Sequence, residues 1–532
     1  MKIIFLTGGV YSSLGKGVIL SSIGKVLQFE GYECNVLKFD PYLNYNSKFL
    51  SPLQHGEVFV TKDGEETDLD LGHYERFLGI ELDSNSCYTT GKIFHKLLEK
   101  ERKGAYDGKT VQIVPHLVNE ILLTLEHFRQ SGTQILLIEL GGTVFDLEQK
   151  PFILAASQLK QKKDDDLVFI HLAPLLHLSH NNEKKTKPIQ HSLALLAQLS
   201  IVPEILILKG GEEISEAELS KISFNFPAIP KEHILSAPYK LDIYEIPLQL
   251  YISEKLFEKI SPILKLDTIP RDIESGKKYL KEWTDFNEQI KAIKKHQVKI
   301  AIVGKYSNSP ESYYSIIQSL KFAGYKLSAD VSIKIIQSTD LTSEKQLEGF
   351  HAICVPPGFG SKSLKGILLA IKYAREKKIP FLGICFGMQL AVIEYFRNVL
   401  DLIGADSVEL NPNTTCPVFT AWNEKQEMRL GNRKVRFEVG SKIAQVYGIL
   451  EKEARHRNKF VLNWSLAREK LTEDKELVFS AFEGEIVEAI ELKSHPFFVG
   501  VQYHPEFNSK PNDPEKLFLA LVAKAIDKII VC

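Results

Sequence analysis

The sequence predicts an α/β protein of two domains, each a mainly parallel sheet flanked by helices. Short apolar runs alternate with helix-length amphipathic stretches through most of the 532 residues, the signature of strands covered on both faces. The alternation stops in a charged stretch, IPRDIESGKKYLKEWTDFNEQIKAIKKHQ, and then restarts. In both halves an apolar strand runs into a glycine turn and then a helix, the junction at which open parallel sheets hold ligands.

The first run, IIFL, ends in Thr7-Gly8-Gly9 and is followed by Val18, Ile19, Ile23, Val26 and Leu27 at helical spacing. CNVLKFD (34–40) then closes a βαβ unit, and QILLIEL (134–140), LVFIHLA (167–173) and EILILK (204–209) supply further buried strands. These place a first domain at 1–266. The charged stretch is expected to be a helical linker over 267–297. VKIAIVGKY (298–306), FHAICVPPGFG (350–360) and IPFLGICFGMQ (379–389) begin a second alternating series, so 298–532 is expected to be an α/β domain of its own.

Composition narrows the function classes. With 66 Lys and Arg against 67 Asp and Glu the net charge is -1, so nothing calls for nucleic acid or an acidic membrane, and any basic site must be local. The six cysteines, at 34, 87, 354, 385, 416 and 532, show no CxxC spacing, which argues against a disulfide framework or zinc cage and for a reducing compartment. MKIIFLTGG shows no signal-peptide pattern and no apolar run reaches a membrane span. A cytoplasmic enzyme is expected.

Two constellations carry chemistry. GGVYSSLGKGV lies between a strand and a helix, where backbone N–H groups and a helix N-terminus cradle phosphate. Gly15 and Gly17 would let the backbone approach closely, and Lys16 would place a positive charge on the terminal phosphates. The spacing departs from the common phosphate loop: five residues separate Gly9 from Gly15, and Gly17 stands where a metal-binding hydroxyl is usual. A plain connecting turn is the alternative. Against it stand the acid-rich ETDLDLGHYERF (66–77) and Glu139, which ends an apolar strand beside Gly141-Gly142; such strand-end carboxylates suit nucleotide-bound Mg2+. In the second half, FLGICFGMQL puts Cys385 at a strand-to-helix turn between Gly383 and Gly387, mechanically like a nucleophile elbow. The helix N-terminus would favour thiolate, and the Phe386 N–H could stabilise an oxyanion. A buried structural cysteine is the alternative. VGVQYHPEF (499–507) offers His504 as a base and Glu506 as its orienting carboxylate.

Both halves together resemble one family. TGGVYSSLGKG, KFDPYLN, QHGEVFVTKDGEETDLDLGHYERF, TVQIVPH, ELGGTVFDLE, KTKPIQHS, GICFGMQ and YHPEF make the chain similar to the CTP synthases over nearly its whole length, an amidoligase domain fused to a class I glutamine amidotransferase. The resemblance implies phosphorylation of the UTP 4-oxygen by MgATP, then attack by ammonia that the second domain releases from glutamine and passes through an internal tunnel. It implies ATP at Ser13, Leu14, Gly15, Lys16, Gly17 and Val18, with Asp70 and Lys209 nearby, Mg2+ on Asp70 and Glu139, and Lys38 as a further triphosphate or catalytic contact. UTP, and CTP in feedback, would contact Ser12, Asp146, Leu147, Glu148, Lys185, Thr186, Lys187, Pro188, Ile189, Gln190 and Lys221. Glutamine would meet Gly358, Phe386, Gly387, Met388, Gln389, Glu409 and Lys459 around the catalytic Cys385, His504 and Glu506. GTP as allosteric activator, with Lys305 and His55 as contacts, and homotetramers with the option of filaments are also implied.

The chain departs from the family at several points. Pro-Gly-Gly-Phe-Gly is here Pro356-Pro357-Gly358-Phe359-Gly360, and Pro357 has no N–H to give an oxyanion. Lys459 and Lys209 stand for arginines, and a lysine cannot repeat a planar bidentate grip. An Asp-Pro-Gly-Thr turn reads Asn46-Ser47-Lys48-Phe49, Phe145 replaces a glycine, and Ile189 replaces a threonine. Two alternatives to an active synthase follow: a diverged nucleotide-binding paralogue with a regulatory or assembly role, or an amidoligase for another acceptor. The lysines flanking Thr186 suit a triphosphate-bearing acceptor better than a simple carboxylic acid.

Overall fold

The computed structural model describes residues 1–11, 13–162, 166–178, 183–211, 214–307, 309–360, 364–472 and 475–531. The chain forms two compact units, one of Met1–Ser47 with His73–Asn287, the other of Lys48–Gly72 with the chain from Glu288 onward. Two boundaries differ from the sequence expectation. Residues 48–72 pack with the second unit, and most of the expected linker is a helix, Ile273–Lys291, whose Trp283 and Phe286 are buried in the first.

The first unit is built on seven parallel strands, β1 (Lys2–Gly8), β2 (Cys34–Asp40), β3 (Cys87–Thr89), β4 (Ile135–Leu140), β5 (Asp166–Pro174), β6 (Ile205–Gly210) and β7 (Ile234–Pro238), in the order β7-β6-β5-β1-β4-β2-β3. The expected strands of this half are present, and β3 and β7 are additions at the two edges. β1 is buried along its whole length, with Phe5 stacked on Phe169 at 4.9 Å. Helix α1 (Lys16–Phe29) is also buried on every side. Its one interior lysine is accommodated because Lys25 Nζ lies 4.8 Å from the Trp283 ring and 5.1 Å from that of Tyr279, a cation–π arrangement that offsets part of its desolvation.

The second unit is built on a nine-stranded sheet of β8 (His296–Gly304), β9 (Ala329–Gln337), β10 (Ala352–Val355), β11 (Phe381–Ile384), β12 (Arg429–Phe437), β13 (Glu451–Asn458), β14 (Leu477–Glu483), β15 (Ile486–Leu492) and β16 (Phe498–Val501). Their order is β9-β8-β10-β11-β16-β15-β14-β12-β13, parallel through the first five and antiparallel beyond. Alternation sends Ile300, Ile302, Cys354, Leu382 and Val499 into one core and Ala301, Val303, Ile353, Phe381 and Phe498 into the other, the period-2 consequence of a sheet covered on both faces. No helix among the described residues is long and apolar enough to cross a membrane.

The antiparallel half hides a charged cluster. Arg429 is fully buried and pairs with Glu488, also fully buried, and with Glu483; His456 Nε2 lies 2.8 Å from Glu488 Oε2. Removing one partner of such a group leaves an unpaired buried charge. Arg429→Met is therefore expected to destabilise the unit by about 3–5 kcal/mol, read as a lower urea midpoint. Arg433→Met, at the partly exposed end of the same cluster, is expected to cost under about 1 kcal/mol.

Candidate active sites

The loop after β1 is shaped by left-handed backbone at Val10 (φ 73°), Ser13 (φ 59°) and Gly15 (φ 87°). Gly15 caps α1 and offers no side chain to its first N–H groups, which leaves them facing the loop as anion donors. The φ of 87° is what favours glycine at 15, and a Cβ there would stand 2.5 Å from Lys209 Nζ, whose flexible side chain reaches the loop. Lys16 Nζ reaches across to donate to Gly142 O at 2.6 Å. Two lysines thus converge on one glycine loop. Burial lowers the Lys209 pKa, and its ammonium lies 5.5 Å from the Tyr239 ring. Leu14 and Val18 are buried beneath the loop, while Ser12 lies outside the described residues.

Underneath sits a histidine that sequence reasoning passed over. His171 Nδ1 is 2.8 Å from Thr7 Oγ1, and its Nε2 is 2.9 Å from Ser192 Oγ. Burial, reinforced by the Lys16 charge, pushes its pKa down to about 3, so it is a neutral strut under Gly9. Its signal in the sequence was a lone polar residue inside the apolar run LVFIHLA.

Parallel register brings the next groups to the same sheet edge. Glu139 on β4 is the direct neighbour of Lys38 on β2 and of Leu6 on β1. Tyr74 Oη donates to Glu139 Oε2 at 2.5 Å, and Lys38 Nζ pairs with Asp40 Oδ1 at 3.2 Å. Asp146 Oδ2 accepts from the Thr143 N–H at 2.5 Å, closing the turn that begins at Gly142. The other acceptor-side residues spread out. Leu147, Glu148 and Phe145 are exposed, and Lys221 is exposed on helix Glu216–Asn225. Thr186 precedes helix Lys187–Gln198, with Pro188 in its first turn, Lys185 half-buried and Gln190 bonded to Thr186 Oγ1 at 3.4 Å. Ile189 points its side chain into the core against Ala173 and Leu208, so its offer to a ligand is backbone only. Asp70 is half-buried at the start of helix Asp70–Leu78, its N–H held by Asp68 Oδ1 at 3.1 Å.

In the second unit Cys385 is the elbow itself, with φ 52° and ψ −102° between β11 and helix Phe386–Asn398. Glycines make the elbow possible: a Cβ on Gly387 would stand 2.2 Å from Val355 O. The Cys385 N–H donates to Val501 O at 2.7 Å, which ties the elbow to the end of β16. Three residues beyond, His504 Nδ1 lies 2.7 Å from Glu506 Oε1, both groups buried. Burial alone would lower the His504 pKa; Glu506 and then Cys385 outweigh it and raise it to about 10. His504 Nε2 has no hydrogen-bond partner among the described residues. The arrangement offers a thiol, an imidazole and a carboxylate that orients it, the groups from which a catalytic triad can be built.

Beside this triad stands Gln502, which was not anticipated, together with residues that were. Gln502 Nε2 donates to Cys385 Sγ at 3.5 Å, and Gln389 Nε2 donates to Gln502 Oε1 at 3.1 Å and to Phe460 O at 3.2 Å. Met388 is buried. Above the elbow, the Gly360 N–H donates to Glu409 Oε1 at 2.7 Å, and Lys305 Nζ donates to Phe359 O at 2.7 Å and to Gly360 O at 2.5 Å. Burial lowers the Lys305 pKa to about 8 against the pull of Glu409; burial raises that of Glu409 against the Gly360 N–H, Lys305 and Lys459. Pro357, Gly358, Phe359, Arg457 and His504 line a small cavity of about 90 Å³ with Pro52 and Val58, room for about three waters. His55 is exposed at the end of helix Pro52–His55.

Comparison with known proteins places both sites in families. Residues 2–266 match the family model "CTP synthase N-terminus", and residues 309–524 match "Glutamine amidotransferase class-I". The chain is 41% identical to the CTP synthase of Halalkalibacterium halodurans over 99% of both chains. It is also 41% identical to that of Sulfurisphaera tokodaii, over 98% of this chain and 99% of the relative. A solved glutaminase domain of Trypanosoma brucei CTPS with bound acivicin is 34% identical over 43% of this chain and 94% of that one, with a TM-score of 0.41.

The raised His504 pKa carries a stability consequence. Its pairing with Glu506 contributes fully below the ordinary value of 6.5 and is lost as pH climbs through about 10. The melting temperature is expected to fall between pH 7 and pH 10, and Glu506→Gln is expected to flatten that fall, as differential scanning calorimetry at the two pH values would show.

Proposed function

The chain belongs to the CTP synthase family, and we propose that it performs the family's reaction, ATP-dependent amination of UTP to CTP with ammonia from glutamine, through the residues of these two sites. One observation carries the reading: the same chain joins a two-lysine glycine loop beside a strand-end carboxylate to a cysteine elbow served by a buried His–Glu pair.

In the first unit the N–H groups of 13–18 and Lys16 hold the ATP phosphates, and Lys16 and Lys38 stabilise charge as the γ-phosphoryl passes to the UTP 4-oxygen. Lys209 and Tyr239 flank the loop on the nucleotide side. Glu139, oriented by Tyr74, fits a hard oxygen ligand for Mg2+, which would neutralise phosphate charge; Asp70, which packs with the second unit, is assigned to the ion by the family resemblance alone. Asp146 to Glu148, Lys185 to Gln190, Lys221 and Ser12 are assigned to UTP and to feedback by CTP. Ammonia then displaces phosphate from C4, giving CTP, ADP and inorganic phosphate.

In the second unit the Cys385 thiolate attacks the glutamine carboxamide while the N–H groups of Gly358 and Phe386 receive the oxyanion. His504 protonates the departing ammonia and then activates water to cleave the glutamyl thioester, and Glu506 holds its ring in place. Gly387, Met388, Gln389, Glu409 and Lys459 frame the substrate. The small cavity beside His504 is assigned to the departing ammonia. GTP is assigned the role of activator, with Lys305 and His55 as contacts; its support is that Lys305 grips the carbonyls of the oxyanion loop. Cytoplasmic homotetramers, with filaments as a higher assembly, complete the reading.

The deciding experiment is UTP-to-CTP conversion followed by absorbance, once with MgATP and ammonium chloride and once with glutamine and GTP. Turnover in both arms is expected; none in either would leave a nucleotide-binding paralogue. Cys385→Ser is expected to abolish only the glutamine arm. Pro357→Gly adds an N–H next to that of Gly358, and if it joins the oxyanion donors glutamine-dependent kcat is expected to rise by about tenfold or more.

A further inference from the structure

Residues 48–72 belong in sequence to the part matched by the synthase N-terminal model, yet they pack inside the second unit. Their anchors are specific. Glu57 accepts from the Ser315 N–H at 3.1 and 2.9 Å and from the Ser315 hydroxyl, at the start of helix Tyr314–Lys326. Phe59–Val60 and Glu66–Thr67 form a short antiparallel hairpin. From it two lines of contact run to the glutaminase machinery. Phe59 is fully buried, with its ring 4.8 Å from Phe507, and Phe507 lies parallel to the His504 imidazole at 5.2 Å and 5°. Arg455 covers the other side of Phe59 at 5.3 Å and donates to Val60 O at 3.2 Å, while its own carbonyl accepts the His504 N–H at 2.8 Å. Glu66 accepts from Arg457 Nε at 2.9 Å; Arg457 stacks on Phe359 of the oxyanion loop at 5.2 Å, and its carbonyl lies 3.6 Å from the Cys385 thiol.

We propose that Phe59 is a positioning residue for glutamine hydrolysis, setting the plane of the His504 ring through Phe507. This rests on the assignment of Cys385, His504 and Glu506 as the glutaminase triad. The Glu506 bond holds the imidazole edge at Nδ1, the parallel Phe507 ring packs along its face and limits its tilt, and Phe507 in turn is backed by Phe59. A hole behind Phe507 lets the stack tilt. A tilt moves Nε2, the atom that must face sulfur and leaving nitrogen, and misplacement by about 1 Å costs up to about a hundredfold in rate.

The test is CTP formation by Phe59→Ala and Phe59→Leu in the full chain, each with saturating ammonium chloride and with glutamine over pH 6 to 9. Phe59→Ala is expected to lower glutamine-dependent kcat by about tenfold or more and to shift the pH profile of that arm, with ammonium-dependent turnover within about twofold of the parent. Phe59→Leu refills part of the hole and is expected to fall between; it decides the matter if the alanine variant does not fold. Equal losses in both arms, which mere structural damage would cause, or an unchanged glutamine arm overturns the proposal. Cys385→Ser run alongside tests the triad itself: glutamine turnover surviving there would sink the underlying assignment and not the positioning role alone.

Discussion

Parallel strands all end at the same edge of their sheet, and both sites of this protein are consequences of that constraint. A strand buried on both faces must turn into its covering helix within a few residues, and the first N–H groups of that helix then lack carbonyl partners. In the first unit β1, β2 and β4 deliver the glycine loop, Lys38 and Glu139 to one edge, and Lys16 Nζ on Gly142 O joins two of the loops. In the second unit β10, β11 and β16 end at the oxyanion loop, at Cys385 and just before His504. The Cys385 N–H on Val501 O connects two of those ends and holds a residue with φ 52° where it would not rest unaided. Strain of this kind costs about 1–3 kcal/mol and persists only under surrounding packing, here the close fit of Gly387 beneath Val355.

Around these edges charge is handled by pairing and by burial in different proportions. His504 is held cationic by Glu506 and Cys385 despite full burial, whereas His171, with hydroxyls on both nitrogens and Lys16 nearby, stays neutral. The same residue type is thus favoured in its charged form in one unit and in its neutral form in the other, and the neighbours decide which. Lys305 and Glu409 form a third arrangement, both pulled toward neutrality by burial and both committed to the backbone of residues 359–360. Residues 359–360, just after Pro357, are therefore tethered on each side.

Much of this was legible without coordinates. The strands at 34–40, 134–140, 167–173 and 204–209 emerged within a residue or two of their expected ends because continuous Val, Ile and Leu runs admit few other structures. Some of the strands that escaped notice are of other kinds. Cys87–Thr89 is three residues long. Ala329–Gln337 is an edge strand with exposed or half-exposed Asp330, Ser332 and Lys334, and Arg429–Phe437 carries three arginines and a lysine; their outward polar residues break the apolar run. Gln502 and Phe507 sat within a motif already singled out, but their contacts depend on which way each faces. Ile189 was expected at a ligand and faces the core.

Local chemistry, by itself, determined the class of fold, the glycine turns, the lysine and carboxylates of one site and the Cys–His–Glu set of the other, because each member sits in a short motif that can be read without the others. Only the tertiary structure decided where residues 48–72 belong. Glu57 meets Ser315 across 258 positions, and Glu66 meets Arg457 across 391. No hydrophobic period or turn signal encodes such pairs; they form because a buried carboxylate needs a donor and a buried ring needs a neighbour, and the folded chain is what supplies both.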